Sequence, residues 1–274
     1  MMDHYAVFGK PIGHSKSPMI HRLFAEQTGQ SLEYGKQEVS ADAFDGAVTQ
    51  FFSTGGKGLN CTVPLKELAW ERAEKRSERA ELSKAVNTLM LLGDGTLYGD
   101  NTDGAGLVRD LTVNNGIILK GRKILLLGAG GAGRGVLGPL LDQSPDSILV
   151  ANRTVERAAK LVAGFQHKGN VSSCGFDELS GKQFDLILNA TAASLTGDLP
   201  PLPDNLLKPA GCCYDLAYGS EKTAFVRWGE AQGAKLSLDG VGMLAEQAAE
   251  AFELWRGVKP ETAQVIKQLE AARG

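Results

Sequence analysis

The chain has 274 residues, of which 43% are hydrophobic and 22% charged, a composition typical of a globular protein with about two domains. The formal net charge is −3, so no basic excess points to nucleic acid or an anionic membrane as a partner. No apolar run reaches the roughly 18 residues of a spanning helix, and the first residues lack the basic and apolar regions of a secretory signal. We therefore expect a cytoplasmic protein.

The first series of predicted elements alternates short apolar runs with helical patterns. Ser17 followed by Pro18 predicts an N-cap and the first residue of a helix. Gly93-Asp94-Gly95 predicts a hairpin turn between two strands. The predicted strands are 5–8, 32–39, 57–61, 85–92 and 96–98, and the predicted helices are 18–28, 41–52, one that starts near 64, and 104–115.

A second series begins with the apolar run KILLL, and from Gly240 onward the pattern is helical with one apolar face. Alternating strands and helices predict parallel sheets with right-handed crossovers. Two such series predict an α/β fold with two domains. The predicted strands are 123–127, 148–151, 184–189, 211–215 and 234–238, and the predicted helices between them are 133–141, 155–165 and 221–232.

The segment GRKILLLGAGGAGRG places a glycine-rich loop between a predicted strand and a predicted helix. In a dinucleotide-binding loop, Gly128 would make the tight turn, Gly130 would let the pyrophosphate approach the backbone, and Gly133 would let helix and strand pack closely. The N–H groups of the helix N-terminus would then face the phosphates. The alternative is an ordinary glycine-rich turn.

The end of the next predicted strand bears on the choice of cofactor. An NAD site usually has Asp or Glu there, whereas this chain has Asn152, followed by Arg153, Thr154 and Arg157. A guanidinium binds a 2′-phosphate through charge-assisted hydrogen bonds, and a carboxylate would repel it. The sequence therefore predicts NADP, unless Thr154 only caps the helix and Arg157 only faces solvent.

Two charged residues lie at predicted helix starts. Lys66 falls in the first turn after Pro64, where the positive end of the helix dipole disfavours a cation, so it is either an ordinary surface lysine or one kept there for chemistry. Asp103 precedes Gly104 and a helix, so it is either a plain N-cap or a carboxylate held in place for chemistry. Neither the four histidines nor the four cysteines show metal-site spacing, and we expect no metal and reduced thiols.

Seven segments, in chain order, together resemble the shikimate dehydrogenase family. They are GKPIGHSKSPMIH, LNCTVPLKE, AVNTL, GDNTDGAG, GAGGAGRG, ANRT and DGVGMLAEQAAEAFELW. The resemblance covers essentially the whole chain. It implies a two-domain α/β enzyme with a Rossmann-type NADP-binding domain, which reduces 3-dehydroshikimate to shikimate with NADPH in aromatic amino acid (chorismate) biosynthesis.

The resemblance also implies roles for individual residues. Lys66 matches the catalytic lysine, Asp103 would orient it, and Asn60 and Thr102 would line the pocket. Leu216 stands where some members have methionine, which changes only an apolar contact. The residues implied for the substrate are Ser15, Ser17, Thr62, Lys66, Asn87, Asp103, Tyr218 and Gln247. Those implied for the cofactor are Gly128, Ala129, Gly130, Gly131, Ala132, Asn152, Arg153, Thr154, Arg157, Leu216, Gly240, Met243 and Glu78.

The implied substrate segments flank the cofactor segment. We therefore expect a discontinuous substrate-binding domain, residues 1–103 and 240–274, around an NADP-binding domain, residues 104–239. An NAD-using quinate/shikimate dehydrogenase, a non-catalytic sensor of NADP and a small carboxylate, and a dehydrogenase of another cyclic substrate stay open as alternatives. The expected partner is a small-molecule substrate, with no nucleic acid and no membrane, and a homodimer is one option for the oligomeric state.

Overall fold

The structure is a computed structural model that describes residues 2–273. The chain divides into two compact units, one formed by Met1–Gly106 with Ala245–Lys267 and the other by Leu107–Leu244 with Gln268–Gly274. The divisions fall three to five residues beyond those expected from the sequence, and the last residues group with the second unit. The chain passes between the units within α5 (Asp103–Arg109), α9 (Val241–Arg256) and α10 (Ala263–Ala271).

The first unit contains a six-stranded mixed sheet of order β2-β1-β3-β5-β6-β4. The three strands β2, β1 and β3 are parallel, and β5 and β6 form an antiparallel hairpin. Gly95 takes a φ of 85° in its turn, which confirms the predicted hairpin. The strands are β1 (Asp3–Gly9), β2 (Leu32–Glu38), β3 (Gly56–Cys61), β4 (Lys75–Arg76), β5 (Thr88–Leu91) and β6 (Leu97–Asp100).

Four helices belong wholly to this first unit. Its core includes fully buried side chains from β3, β5 and the loop before α3, among them Leu59, Leu65 and Leu89. Hydrophobic residues at alternate positions in β1 and β3 face this core because successive strand side chains point to opposite faces. The helices are α1 (Ser17–Thr28), α2 (Phe44–Ser53), α3 (Lys66–Arg72) and α4 (Glu78–Ser83).

The second unit contains an all-parallel sheet of order β12-β11-β10-β7-β8-β9. Read from β9, this is the strand order 3-2-1-4-5-6 of a Rossmann fold, whose topological switch point lies between β7 and β10. The strands are β7 (Lys123–Leu127), β8 (Ser147–Ala151), β9 (Val171–Cys174), β10 (Phe184–Asn189), β11 (Leu207–Asp215) and β12 (Leu236–Leu238). The helices are α6 (Gly131–Leu141), α7 (Val155–Ala163) and α8 (Ala224–Ala231).

The elements of the second unit that escaped prediction include an edge strand and a π-helical turn. The edge strand β9 has the sequence VSSC, too polar to read as a buried strand, and it forms because β8 offers backbone partners along one side. After α5 the chain makes a π-helical turn, Asp110–Asn114, where the sequence predicts a regular helix to 115. No helix within residues 2–273 is long and apolar enough to cross a membrane.

Candidate active site

The glycine-rich loop follows β7 and leads into α6. Gly128 has a φ of 103°, and a Cβ there would lie 2.9 Å from the carbonyl oxygen of Ala190. A Cβ at Gly133 would overlap the Gly128 carbonyl, so both positions require glycine. At Gly130 and Gly131 a Cβ would meet nothing within 4 Å. The amino end of α6 therefore presents backbone N–H groups to open space, which fits the pyrophosphate of a dinucleotide.

The residues after β8 complete this end of the second sheet. The Asn152 side chain accepts the N–H of Ala129 at 3.1 Å and donates to the carbonyl of Thr154 at 2.8 Å, which ties β8 to the glycine-rich loop. Thr154 precedes α7, but its hydroxyl makes no capping bond, so capping alone does not explain it. Arg153 and Arg157 are exposed and have no ion-pair partner among residues 2–273. Both guanidinium groups are available to an anionic ligand.

Four more of the implied residues lie in the second unit. Leu216 follows β11, and Gly240 lies so close to it that a Cβ at 240 would overlap the Leu216 carbonyl oxygen. Met243 lies in the first turn of α9 and donates its N–H to the Tyr214 phenol at 3.2 Å. Tyr218 is half-buried, and burial raises the pKa of its phenol, so the phenol stays protonated and able to donate at neutral pH.

In the first unit, Lys66 and Asp103 form an ion pair. The Lys66 Nζ lies 2.5 Å from Asp103 Oδ2, and the two side chains are only 18% and 9% exposed. Lys66 is the first residue of α3 and Asp103 the first of α5. Asn87 Nδ2 donates to Asp103 Oδ1 at 2.9 Å. The structure thus brings the implied catalytic pair together and fixes its carboxylate with a buried amide.

Asn87 connects this pair to other implied substrate residues. Its amide nitrogen also lies 2.9 Å from Thr102 Oγ1 and 3.2 Å from Gln247 Oε1. Its oxygen accepts the hydroxyl of Thr88 at 2.8 Å. Sequence reasoning missed Thr88, which is fully buried. Its signal was a polar residue directly after Asn87 in a strand of otherwise apolar residues.

Asn60 is buried, and its polar atoms have internal partners. Its Nδ2 donates to the Asn87 carbonyl and to Thr88 Oγ1, both at 3.0 Å, and its Oδ1 accepts the Tyr34 phenol at 2.6 Å. In this structure Asn60 therefore links β3 to β5 through side-chain hydrogen bonds. Thr62 lies four residues before Lys66, in the loop between β3 and α3, and is half-buried.

The serine pair differs from the prediction. Ser17 does not cap α1: it is the first helical residue, and Lys16 holds the cap position without a side-chain capping bond. Instead the Ser15 hydroxyl accepts the N–H of Ser17 at 3.3 Å. The capping prediction for Ser17 is therefore wrong, because Lys16 already has helical angles, φ −87° and ψ −6°. The two hydroxyls nonetheless lie on one short turn of chain.

Glu78 is the exposed first residue of α4, in the first unit rather than in the unit with the glycine-rich loop. Within residues 2–273 no group of three His, Cys, Asp or Glu side chains could hold a metal ion.

Together, the Rossmann unit with its open glycine-rich loop and the lysine–carboxylate pair define a class of protein: a nucleotide-dependent α/β dehydrogenase.

The comparisons with known proteins identify the family. The model of the shikimate dehydrogenase substrate-binding domain matches residues 7–89, that of shikimate/quinate 5-dehydrogenase residues 112–196, and that of the shikimate 5′-dehydrogenase C-terminal domain residues 240–270. An NADP(+) shikimate dehydrogenase of Methylococcus capsulatus is 60% identical over 271 residues, covering 99% of this chain and 97% of that protein. The chain belongs to the shikimate dehydrogenase family.

Solved structures agree with this assignment. An Ael1 enzyme from Pseudomonas putida superposes with a TM-score of 0.92 at 49% identity, over 97% of this chain and 98% of that one. The shikimate 5-dehydrogenase of Thermus thermophilus, solved in complex with NADP(H) and shikimate, has a TM-score of 0.88 at 33% identity and covers all of both chains. The predicted family and the two-domain α/β fold with a Rossmann-type unit are confirmed.

Proposed function

We propose that this protein is an NADP-dependent shikimate dehydrogenase. It catalyses the reversible reduction of 3-dehydroshikimate to shikimate, a step of aromatic amino acid biosynthesis. The observation that carries the proposal is the Lys66–Asp103 pair, which is largely buried and hydrogen-bonded to Asn87, on a chain that also has a Rossmann unit with an open glycine-rich loop. Curated relatives with 52–60% identity have this activity by name.

The substrate is a small ring with one carboxylate, hydroxyls and a ketone. Ser15 and Ser17, which lie on one turn, supply hydroxyl donors for the carboxylate. Asn87 has two N–H protons and three acceptors within 3.2 Å, so one acceptor goes without a proton from it. The longest of these distances runs to Gln247. A substrate hydroxyl that donates to Gln247 Oε1 therefore replaces only this longest contact of the Asn87 amide. Thr62 and Tyr218 complete the proposed set.

Lys66 is the proton donor in the direction of reduction. When bound, NADPH supplies a hydride to the ketone carbon, so negative charge develops on the ketone oxygen. Lys66 gives this oxygen a proton and accepts it again in the reverse direction. Asp103 holds the ammonium in position and accepts a substrate hydroxyl. A positioned acid or base contributes about 10²–10⁴-fold to the rate, and orientation of the reactants supplies further rate.

The cofactor is held by the second unit. Backbone groups of residues 128–132 face the pyrophosphate, and Asn152 with Thr154 fixes the neighbouring turn. Arg153 and Arg157 bind the 2′-phosphate, which is why the enzyme uses NADP. Leu216, Gly240 and Met243 contact the nicotinamide half, and Glu78 is a further cofactor-side residue. Residues 1–103 and 240–274 serve as the substrate domain and residues 104–239 as the NADP domain.

The four cysteines are all buried free thiols, as in a reducing compartment, and we place the enzyme in the cytoplasm.

An activity assay tests the proposed function. Purified protein is mixed with shikimate or quinate, and with NADP⁺ or NAD⁺, while absorbance of the reduced cofactor is followed. Fast reduction of NADP⁺ with shikimate alone supports the proposal. Turnover of quinate or equal use of NAD⁺ moves the protein to the quinate/shikimate branch. Tight binding of both ligands without turnover supports a sensor. Light scattering on the same sample distinguishes monomer from homodimer.

A further inference from the structure

A buried carboxylate lies at the amino end of α9, in the second unit. Asp110, the first residue of the π-helical turn, is 3% exposed. A Cβ at Gly242 would overlap its carboxylate, so only glycine at the second position of α9 lets the acid approach the helix. Asn114 and Asn115 donate to Asp110 Oδ1 at 2.9 and 3.3 Å. The carboxylate is thus oriented from its own turn and packed against the helix start.

A buried phenol connects this carboxylate to Met243. Tyr214, on β11, is fully buried, and its hydroxyl donates to Asp110 Oδ2 at 2.7 Å. A phenol has a single proton, so toward the N–H of Met243, 3.2 Å away, the same oxygen is an acceptor. Burial and the nearby Asp110 raise the pKa of Tyr214, so the phenol keeps its proton. The direction of both hydrogen bonds is therefore determined.

The contact matters because the first N–H groups of a helix lack partners within the helix. In α9 the phenol of Tyr214 satisfies one of them, and Asp239, which Arg273 holds through two bonds of 2.7 Å, accepts the N–H of Val241 at 3.3 Å. Two acidic groups near the positive end of the helix dipole add stabilisation. The first turn of α9 is therefore fixed by side chains from β11 and from the turn after α5.

We propose that Asp110 and Tyr214 are positioning residues for the nicotinamide half of the cofactor. They set the position of Gly240 and Met243, through the carboxylate packed on Gly242 and the phenol bound to the Met243 N–H. The inference rests on the proposed function, which assigns Gly240 and Met243 to that half of NADP(H). Small displacements of positioning groups cost large factors in rate, so the network governs hydride transfer without touching the substrate.

The test compares Tyr214→Phe with a control variant, Val226→Ala. The control creates a cavity in the buried face of α8, so it should lower the melting temperature without touching the network. Isothermal titration measures binding of NADP⁺ and of 2′,5′-ADP, which lacks the nicotinamide half. We expect Tyr214→Phe to raise the Kd for NADP⁺ and lower kcat by about 3- to 20-fold each, with the Kd for 2′,5′-ADP within about twofold of wild type. With NADPD deuterated at the transferred position, the kinetic isotope effect on turnover should rise.

Val226→Ala should leave both dissociation constants and the isotope effect unchanged. The proposal is overturned if Tyr214→Phe behaves like that control, or if it weakens 2′,5′-ADP as much as NADP⁺. If Tyr214→Phe does not fold, the milder Asn114→Ala removes one donor to Asp110 from an exposed position. An unchanged ratio of the two dissociation constants in that variant also overturns the proposal. Binding is measured without substrate, so a wild type that fails to oxidise shikimate refutes the proposed function and leaves this test intact.

Discussion

Replacing Lys66 by methionine should remove most of the turnover and little of the substrate affinity. Methionine keeps the unbranched apolar stem on α3 and removes the ammonium that lies 2.5 Å from Asp103. Loss of a general acid costs about 10²–10⁴-fold in kcat. The KM for shikimate should change by less than about tenfold, since the serine pair and the amides remain. Asp103 keeps the hydrogen bond from Asn87, so the unpaired carboxylate should cost only about 1–3 kcal/mol of stability.

The assay is steady-state oxidation of shikimate with NADP⁺, with urea denaturation as a check on folding. Lys57→Met, at an exposed lysine of β3, is the matched control and should retain wild-type kinetics. Lys66→Arg separates the role of charge from that of proton transfer, because a guanidinium can pair with Asp103 but does not release its proton at neutral pH. It should be nearly as slow as the methionine variant. A kcat within about threefold of wild type in either variant would refute the assignment of Lys66 as acid and base.

Two further predictions concern the cofactor and pH. Arg153→Ala combined with Arg157→Ala should raise the KM for NADP⁺ by about 10- to 100-fold, the worth of one or two charge-assisted hydrogen bonds, and leave that for NAD⁺ unchanged; equal loss with both cofactors would contradict the 2′-phosphate role. His21 is buried and stacks on Tyr34, and burial lowers the pKa of its imidazole from 6.5 to about 3. Between these values only the unfolded state binds the proton, so the free energy of unfolding falls by about 1.4 kcal/mol per pH unit as pH drops below the unfolded pKa. The free energy of unfolding of His21→Phe, measured by urea denaturation, should therefore rise by about 2–3 kcal/mol relative to that of wild type between about pH 7.5 and about pH 4.5. An equal difference in unfolding free energy at both pH values would exclude His21 as the cause.

Local patterns in the sequence were enough to predict most elements and the cofactor loop. Gly128 takes a φ of 103°, and a Cβ at Gly133 would overlap the Gly128 carbonyl; both requirements arise within the loop, and such short-range requirements are visible in a motif. The placement of Lys66 in the first turn of a helix also followed from Pro64 alone. The division into alternating strands and helices is likewise local, because it rests on the periodicity of apolar residues.

What the sequence alone could not provide is the set of long-range contacts around Asn87. Its amide meets Thr102 and Gln247 from positions 15 and 160 residues away, and no pattern in the chain specifies such a meeting. The prediction that Ser17 caps α1 was wrong for a different reason. Whether Ser17 lies before or inside the helix depends on the backbone angles of Lys16, which several residue types can adopt. Resemblance to a family named the participating residues, but only the structure gave their hydrogen-bond partners.

The position of Lys66 is electrostatically unfavourable by itself, and this is informative. A cation in the first turn of a helix opposes the helix dipole at a cost of about 0.3–1 kcal/mol, whereas a carboxylate in the same position gains a similar amount. Asp103, the first residue of α5, has that favourable position, and it is the partner that Lys66 contacts. The carboxylate is thus stabilised by its own helix, by Asn87 and by the ammonium, while the ammonium of Lys66 has this carboxylate as its one ion-pair partner among residues 2–273. A surface lysine would be exposed and variable in conformation, but this one is 18% exposed and held at 2.5 Å. Folding alone therefore gives little reason for a lysine at this position, and proton transfer gives a specific one.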